Sequence, residues 1–346
     1  MIKTAIISFG VSAQTFHAPL INANPNFQLK KILQKKGHEA RERYPEIVLV
    51  QEYKEVLNDP EIDLVVIATP NKLHFKMAKQ ALLAHKHVVV EKPFTVEVNE
   101  AEELIQLAKK QDRIITVFHN RRLDGDFLTV KKLVEDGTLG KVVELESRFD
   151  RFRNFIKNWK EKEGKGHGIL YDLGSHLIDQ ALALFGKPGQ IEADIRKQRE
   201  VSVIEDYFEI NLYYDNLKVI LKASMLAKEK MPRFSVFGDK GTFIKYGLDP
   251  QEDRLKANFQ YVPNIGEDTE EDYGLLNVEI NGQDKRKKLK TIPGDYMQFY
   301  DNLYHAIKHR EKLLVPPEDA KAVLKLIDLA YQSNREMRRI IVDEWT

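Results

Sequence analysis

The sequence predicts an α/β protein in two parts: an N-terminal parallel sheet covered by helices on both faces, then a C-terminal α+β domain with an open, largely antiparallel sheet. Three observations carry this. Short apolar runs alternate with helical stretches up to about Asn120, as a parallel sheet with crossover helices requires. Strand-like alternation dominates after that point. At 346 residues the chain also exceeds what one hydrophobic core usually serves. The boundaries are set at 1–119 and 120–346, with the C-terminal helix free to pack back on the first domain.

Taken in order, the strand signals of the first part are Thr4–Phe9, Leu29–Leu33, Leu64–Thr69, His87–Glu91 and Ile114–Phe118. Helical spacing falls at Phe75–Ala84 and Glu97–Lys110. The second part opens with a helix at Phe127–Gly137, a strand at Val142–Phe149, a basic loop and a helix near Ile169–Phe185. Strands come next at Gln190–Arg196, Tyr207–Tyr214, Val219–Ser224, Phe234–Phe237 and Gly241–Tyr246. Gly266–Asp272 reads as an acidic turn or flexible loop, and Asp295 to about Arg338 returns to helical spacing.

Composition narrows the classes. Hydrophobic residues make up 42% and charged residues 31%, and the net charge of +1 offers no field for nucleic acid or anionic lipid. The chain has no cysteine, so disulfides, thiolate nucleophiles and Cys-based zinc sites are out. No run approaches the roughly 18 apolar residues of a membrane span, and no signal-peptide pattern follows Met1. A cytoplasmic location is the expectation.

The first apolar run ends in Ser8-Phe9-Gly10-Val11-Ser12-Ala13, one glycine short of the dinucleotide fingerprint Gly-x-Gly-x-x-Gly/Ala. Gly10 keeps the middle role, close backbone approach to a pyrophosphate, and Ala13 is an accepted last member. Only Ser8 departs. If that position needs positive φ, serine costs roughly 1–2 kcal/mol there. After the second strand comes Gln34-Lys35-Lys36, where an NAD site usually has Asp or Glu. With no carboxylate to repel a 2′-phosphate and two lysines able to bind one, NADP(H) is preferred over NAD. An ordinary basic turn is the competing explanation.

Two later motifs carry possible chemistry. Glu91-Lys92-Pro93 closes a strand and presents Lys92 at a carboxyl edge, where open α/β sheets bind ligands; a surface lysine before a turn proline would look the same. In the segment from Gly166 to Asp179, Asp172 and His176 stand at i and i+4 on one helical face, beside the apolar stripe Leu170, Leu173, Leu177 and Ala181. Such a pair can move a proton near neutral pH. A metal site with His167 and a structural Asp–His hydrogen bond are the weaker alternatives, and no metal is expected.

Together the motifs resemble the Gfo/Idh/MocA oxidoreductase family over nearly the whole chain, closest to its scyllo-inositol dehydrogenase-like branch. The matching stretches are "FHAPLI", "ATPNKLHFKMAKQAL", "HKHVVVEKPFT", "FHNRRLDGDFLTVKKL", "ESRFDRFR", "GILYDLGSHLIDQAL" and "KYGLDPQED". The resemblance implies a Rossmann domain, then an α/β domain whose open sheet often makes a dimer or tetramer interface. It implies that Lys92, Asp172 and His176 line the reacting carbon, with His176 taking the alcohol proton. By the same resemblance Thr69, Pro70, Asn71 and His74 border the cofactor, Glu91 and Lys92 sit by the nicotinamide, and Asn120 and Arg121 approach cofactor and substrate. Ser8, Gly10, Ser12, Ala13, Gln34, Lys35 and Lys36 complete the cofactor set. Tyr171 joins the substrate contacts. Arg148, Asp150 and Arg153, in "RFDRFR", would form a loop over a polyol, with Trp159 capping it; surface ion pairs are the plainer explanation. Ser8, Lys72, Leu123 and Ser175 depart from the family pattern.

These features predict a dehydrogenase interconverting a secondary hydroxyl and a ketone on a sugar or cyclic polyol. The rivals are a non-catalytic nucleotide-binding regulator and an NAD-dependent glycosidase on the same fold.

Overall fold

The computed structural model describes residues 1–157 and 159–343, apart from the side chain of Trp159, so the capping role expected of Trp159 lies outside the described residues. The chain divides into two compact units. The first comprises 1–120, 250–265 and 295–321, and the second 121–249, 266–294 and 322–346.

In the first unit six strands, β1 (Ile2–Ile7), β2 (Phe27–Leu33), β3 (Val48–Val50), β4 (Leu64–Ile67), β5 (His87–Val90) and β6 (Ile115–Val117), form an all-parallel sheet ordered β3-β2-β1-β4-β5-β6. This is the doubly wound order of dinucleotide-binding sheets. All four residues of β4 are buried, as a central strand covered on both faces demands. Register aligns the strand ends: Ile7 pairs with Leu33 and Ile67, Ile67 with Val90, and Val90 with Val117. The next residues, Ser8, Gln34, Ala68, Glu91 and Phe118, therefore leave the sheet along one carboxyl edge.

Helix Val98–Lys110 shows why these crossovers form. Glu97 and Glu100 make a capping box, and Ala101, Leu104, Ile105 and Ala108 repeat at helical spacing as the buried stripe. Strand β3, at three residues, is too short to alternate and gave no sequence signal. From the C-terminal half, helices Gln251–Asn258 and Met297–His309 belong to this unit. Asn24 donates to Asp301 at 2.7 Å and Thr116 to the Val315 carbonyl at 2.7 Å.

The second unit holds nine strands: β7 (Val142–Arg148), β8 (Gln190–Arg196), β9 (Tyr207–Tyr213), β10 (Lys218–Ser224), β11 (Phe234–Gly238), β12 (Gly241–Lys245), β13 (Gly274–Ile280), β14 (Gln283–Leu289) and β15 (Ile340–Ile341). Their order is β14-β13-β12-β11-β7-β10-β9-β8-β15, antiparallel except for β7 beside β10. Alternation puts Phe208, Ile210 and Leu212 of β9 and Val219, Leu221 and Ala223 of β10 into the core. They pack with Phe127, Val130, Leu177, Ile178, Leu326 and Ile327 from the helices. The β13–β14 hairpin was missed because Gln283–Lys288 is wholly exposed and has no apolar period. Its Asn281-Gly282 turn, both residues at positive φ, was the available signal.

Candidate active site

Ser8 has φ +85°, so the fold does demand the left-handed region at the first fingerprint position, and serine occupies it under strain. Its N–H donates to the Leu33 carbonyl at 3.2 Å. Gly10 differs. It is exposed, and a Cβ there would meet nothing nearer than Ser8 Oγ at 3.7 Å. The chain's own packing therefore has no need of glycine at 10. An open backbone ahead of the helix at 11–23 is what close approach of a phosphate requires, so the loop fits a dinucleotide. Ala13 is buried and opens a π-helical turn, Ala13–His17, within that helix.

At the end of β2, Gln34 is tied into its own loop. Its Nε2 donates to the Lys36 carbonyl at 2.9 Å and to Glu39, and its Oε1 accepts the Ala40 N–H at 3.1 Å. Lys35 and Lys36 remain exposed. A carboxylate does stand in this loop: Glu39, whose backbone hydrogen bond and contact with Gln34 hold its carboxyl below the ordinary range. Sequence spacing overlooked it. Its oxygens lie over Gly37, where a Cβ would come within 2.2 Å of one of them.

Along the same edge, Thr69 is half-buried and Pro70 exposed, while Asn71 is buried. His74 is fully buried, with its ring nitrogens 2.8 Å from the Pro93 and Thr69 carbonyls. His74 thus ties the Thr69 loop to the turn after β5. At that turn Glu91 accepts hydrogen bonds from Ser12 Oγ, from His17 Nε2 at 3.0 Å and from the Lys92 N–H at 3.0 Å. Burial by itself would raise the Glu91 carboxyl. The His17 hydrogen bond and charge, the Ser12 hydroxyl and the Lys92 charge outweigh burial and bring it down to about 2. Lys92 is half-buried, and the Lys92–Pro93 bond is cis. Asn120 is buried in this unit.

In the second unit, the helix expected over Ile169–Phe185 is two pieces, a π-helical turn Leu170–Gly174 and an α-helix Ser175–Phe185. Asp172 lies within the π turn and His176 in the first turn of the α-helix. Asp172 Oδ1 accepts Lys160 Nζ at 2.6 Å, with 24% and 33% of the two side chains exposed. His176 is buried. Tyr171 is half-buried, its ring 6.2 Å from Tyr331. Gly168, at φ +92°, starts the segment; a Cβ there would strike the Glu205 carboxylate at 1.8 Å. Lys160 escaped the sequence reading because it is one of several lysines in an aperiodic loop.

The remaining sequence candidates are tied to neighbours in the fold. Arg148 donates to Asp150 at 2.7 Å and to Glu146 at 2.8 Å, and Asp150 Oδ1 accepts the Ser224 N–H at 3.0 Å. Arg153 pairs with Glu161 at 2.5 Å, and Glu161 in turn pairs with Arg199. Arg121 is buried, pairs with Asp124 at 3.0 Å and lies 4.8 Å over the Phe149 ring. His167 Nδ1 lies 3.0 Å from the Lys162 carbonyl. No group of three or more His, Asp or Glu side chains able to hold a metal occurs among the described residues. No helix among them is long and apolar enough to cross a membrane.

A family model described as "Oxidoreductase family, NAD-binding Rossmann fold" matches residues 2–119, and one described as "Oxidoreductase family, C-terminal alpha/beta domain" matches residues 131–342. The chain is 42% identical to the uncharacterized oxidoreductase YdgJ of Escherichia coli, over 96% of each chain. It is 38% identical to the scyllo-inositol 2-dehydrogenase (NADP(+)) IolW of Bacillus subtilis, over 99% of this chain and 96% of that one. A crystal structure of an oxidoreductase from Bacillus cereus superposes with a TM-score of 0.93 at 35% identity, covering 100% of both chains.

Proposed function

The chain belongs to the Gfo/Idh/MocA oxidoreductase family, enzymes here acting on CH–OH groups through an NAD-binding Rossmann domain, and from that premise we propose that it interconverts a secondary hydroxyl and a ketone on a sugar or cyclic polyol. The observation that carries most weight is the carboxyl-edge junction of Ser12, Glu91 and Lys92, which links the opening loop to the family-type lysine. An inositol-like substrate is favoured by likeness to a scyllo-inositol 2-dehydrogenase across almost the whole chain.

Bound nicotinamide supplies the hydride chemistry. Ser8 through Ala13 would hold its pyrophosphate against the helix at 11–23, with Gly10 allowing close approach. Lys35 and Lys36, both exposed, favour a 2′-phosphate, while Glu39 is engaged by Gln34. NADP(H) is therefore the preferred cofactor. His176 takes the hydroxyl proton during oxidation and returns it during reduction. Lys92 stabilises negative charge building on the substrate oxygen, and Asp172, held by Lys160, orients the neighbouring hydroxyl.

Titration of the purified protein with NADPH and NADH, monitored by nicotinamide fluorescence, comes first. Tight NADPH and weak NADH support the lysine assignment, and a screen of inositols, inososes and sugars then identifies the substrate. Binding of neither cofactor overturns the proposal.

A further inference from the structure

His17, in the "FHAP" stretch, takes no part in the proton or hydride transfer, yet it is fully buried among aromatic rings, with Phe118 at 4.5 Å between centroids. A phenylalanine would pack there without a polar group to satisfy. Instead both ring nitrogens are engaged: Nε2 lies 3.0 Å from Glu91 Oε1, and Nδ1 lies 2.7 Å from the hydroxyl of Tyr300, itself buried on helix Met297–His309. Nε2–H donates to the Glu91 carboxylate, and Nδ1 and the Tyr300 hydroxyl share a hydrogen bond, so both ring nitrogens and the phenol are engaged. A fully satisfied buried chain of this kind selects a single geometry for its members. Its far end is the carboxylate that also accepts the Ser12 hydroxyl and the Lys92 N–H.

We propose that His17 is a positioning residue: oriented by Tyr300, it clamps the Glu91 carboxylate and so sets the placement of Lys92. Being wholly buried, it acts through Glu91 and touches neither substrate nor cofactor. The inference rests on the assignment of Lys92 to the reacting carbon, and it makes helix Met297–His309 a structural part of the cofactor-side machinery.

The test is a double-mutant cycle on the full-length protein with His17→Phe, Glu91→Ala and the pair, reading kcat, KM and the NADPH dissociation constant by fluorescence. His17→Phe is expected to lower kcat about tenfold or more, leaving KM and NADPH affinity within about threefold. In the Glu91→Ala background it should have no further effect. His17→Gln, which keeps a donor for Glu91, should recover most of the loss, and Tyr300→Phe should cost a few-fold. These two variants and the emission of bound NADPH decide the matter if His17→Phe does not fold. Wild-type kcat in His17→Phe, or an undiminished loss in the Glu91→Ala background, overturns the proposal. A wild-type protein that neither binds a nicotinamide nor turns over a polyol overturns the functional assignment instead.

Discussion

Two π-helical turns carry candidate functional residues, one in each unit, and the charges beside them are held in opposite ways. At Ala13–His17 the turn delivers a buried imidazole to Glu91, whose carboxyl is depressed to about 2 and whose side chain is 12% exposed. At Leu170–Gly174 the turn carries Asp172, 24% exposed and paired with Lys160 at 33%. The widened turn is a rare form that recurs at functional positions, where it re-aims side chains without ending the helix. The contrast fits the tasks proposed for the two units. A group that fixes a loop gains from burial and several partners, whereas a group that must meet a changing ligand needs accessibility and a partner that can yield.

Breaking the second region should have the larger chemical effect. His176→Ala is expected to lower kcat by about a thousandfold while leaving the NADPH dissociation constant as it was, measured by steady-state kinetics and fluorescence titration. Unaltered turnover would remove His176 from the acid–base role.

Breaking the first region should show in stability against acid. The Glu91 carboxyl lies below its ordinary value of 4.5, at about 2, so the stability it contributes is fully present above pH 4.5 and is lost as pH falls towards 2. The integrated contribution is about 3 kcal/mol. Urea unfolding at pH 5 and pH 3 should find a smaller drop for Glu91→Gln than for the wild type; parallel drops would mean Glu91 is not the group responsible.

Lys160→Met sharpens the contrast. Removing a partly exposed partner should change stability by less than about 1 kcal/mol, yet reduce kcat/KM about fivefold through looser placement of Asp172. A stability loss comparable to that of Glu91→Ala would show the two regions to be built alike. The smallest effect belongs to Ser8→Gly. Relief of the positive φ, offset by the flexibility glycine adds to the unfolded chain, should raise stability by at most about 1 kcal/mol, with NADPH binding retained.

Much of the architecture was legible because it depends on local pattern. The all-buried β4 and the alternating β9 declare their environments residue by residue. So does the capping box at Glu97 and Glu100. Strand β14 was not legible, since exposed lysines carry no period. Glu39 was overlooked because its engagement with Gln34 depends on how the loop folds back. Arg148, Asp150 and Arg153 are candidate ligand contacts by residue type, and their pairing, Arg148 with Glu146 and Asp150, Asp150 with the Ser224 N–H and Arg153 with Glu161, is visible only in the fold.

By itself the sequence determined the two-part α/β plan, the position of the dinucleotide loop and the identities of Lys92, Asp172 and His176 as chemical candidates, because periodicity and motif spacing are local properties. Only the tertiary structure decided that Ser8 bears positive φ and that the Asp172 helix opens with a π turn. It alone joined His17 to Glu91 and to Tyr300, 283 residues away, because pairing across such a separation is set by packing and register and leaves no trace in local spacing.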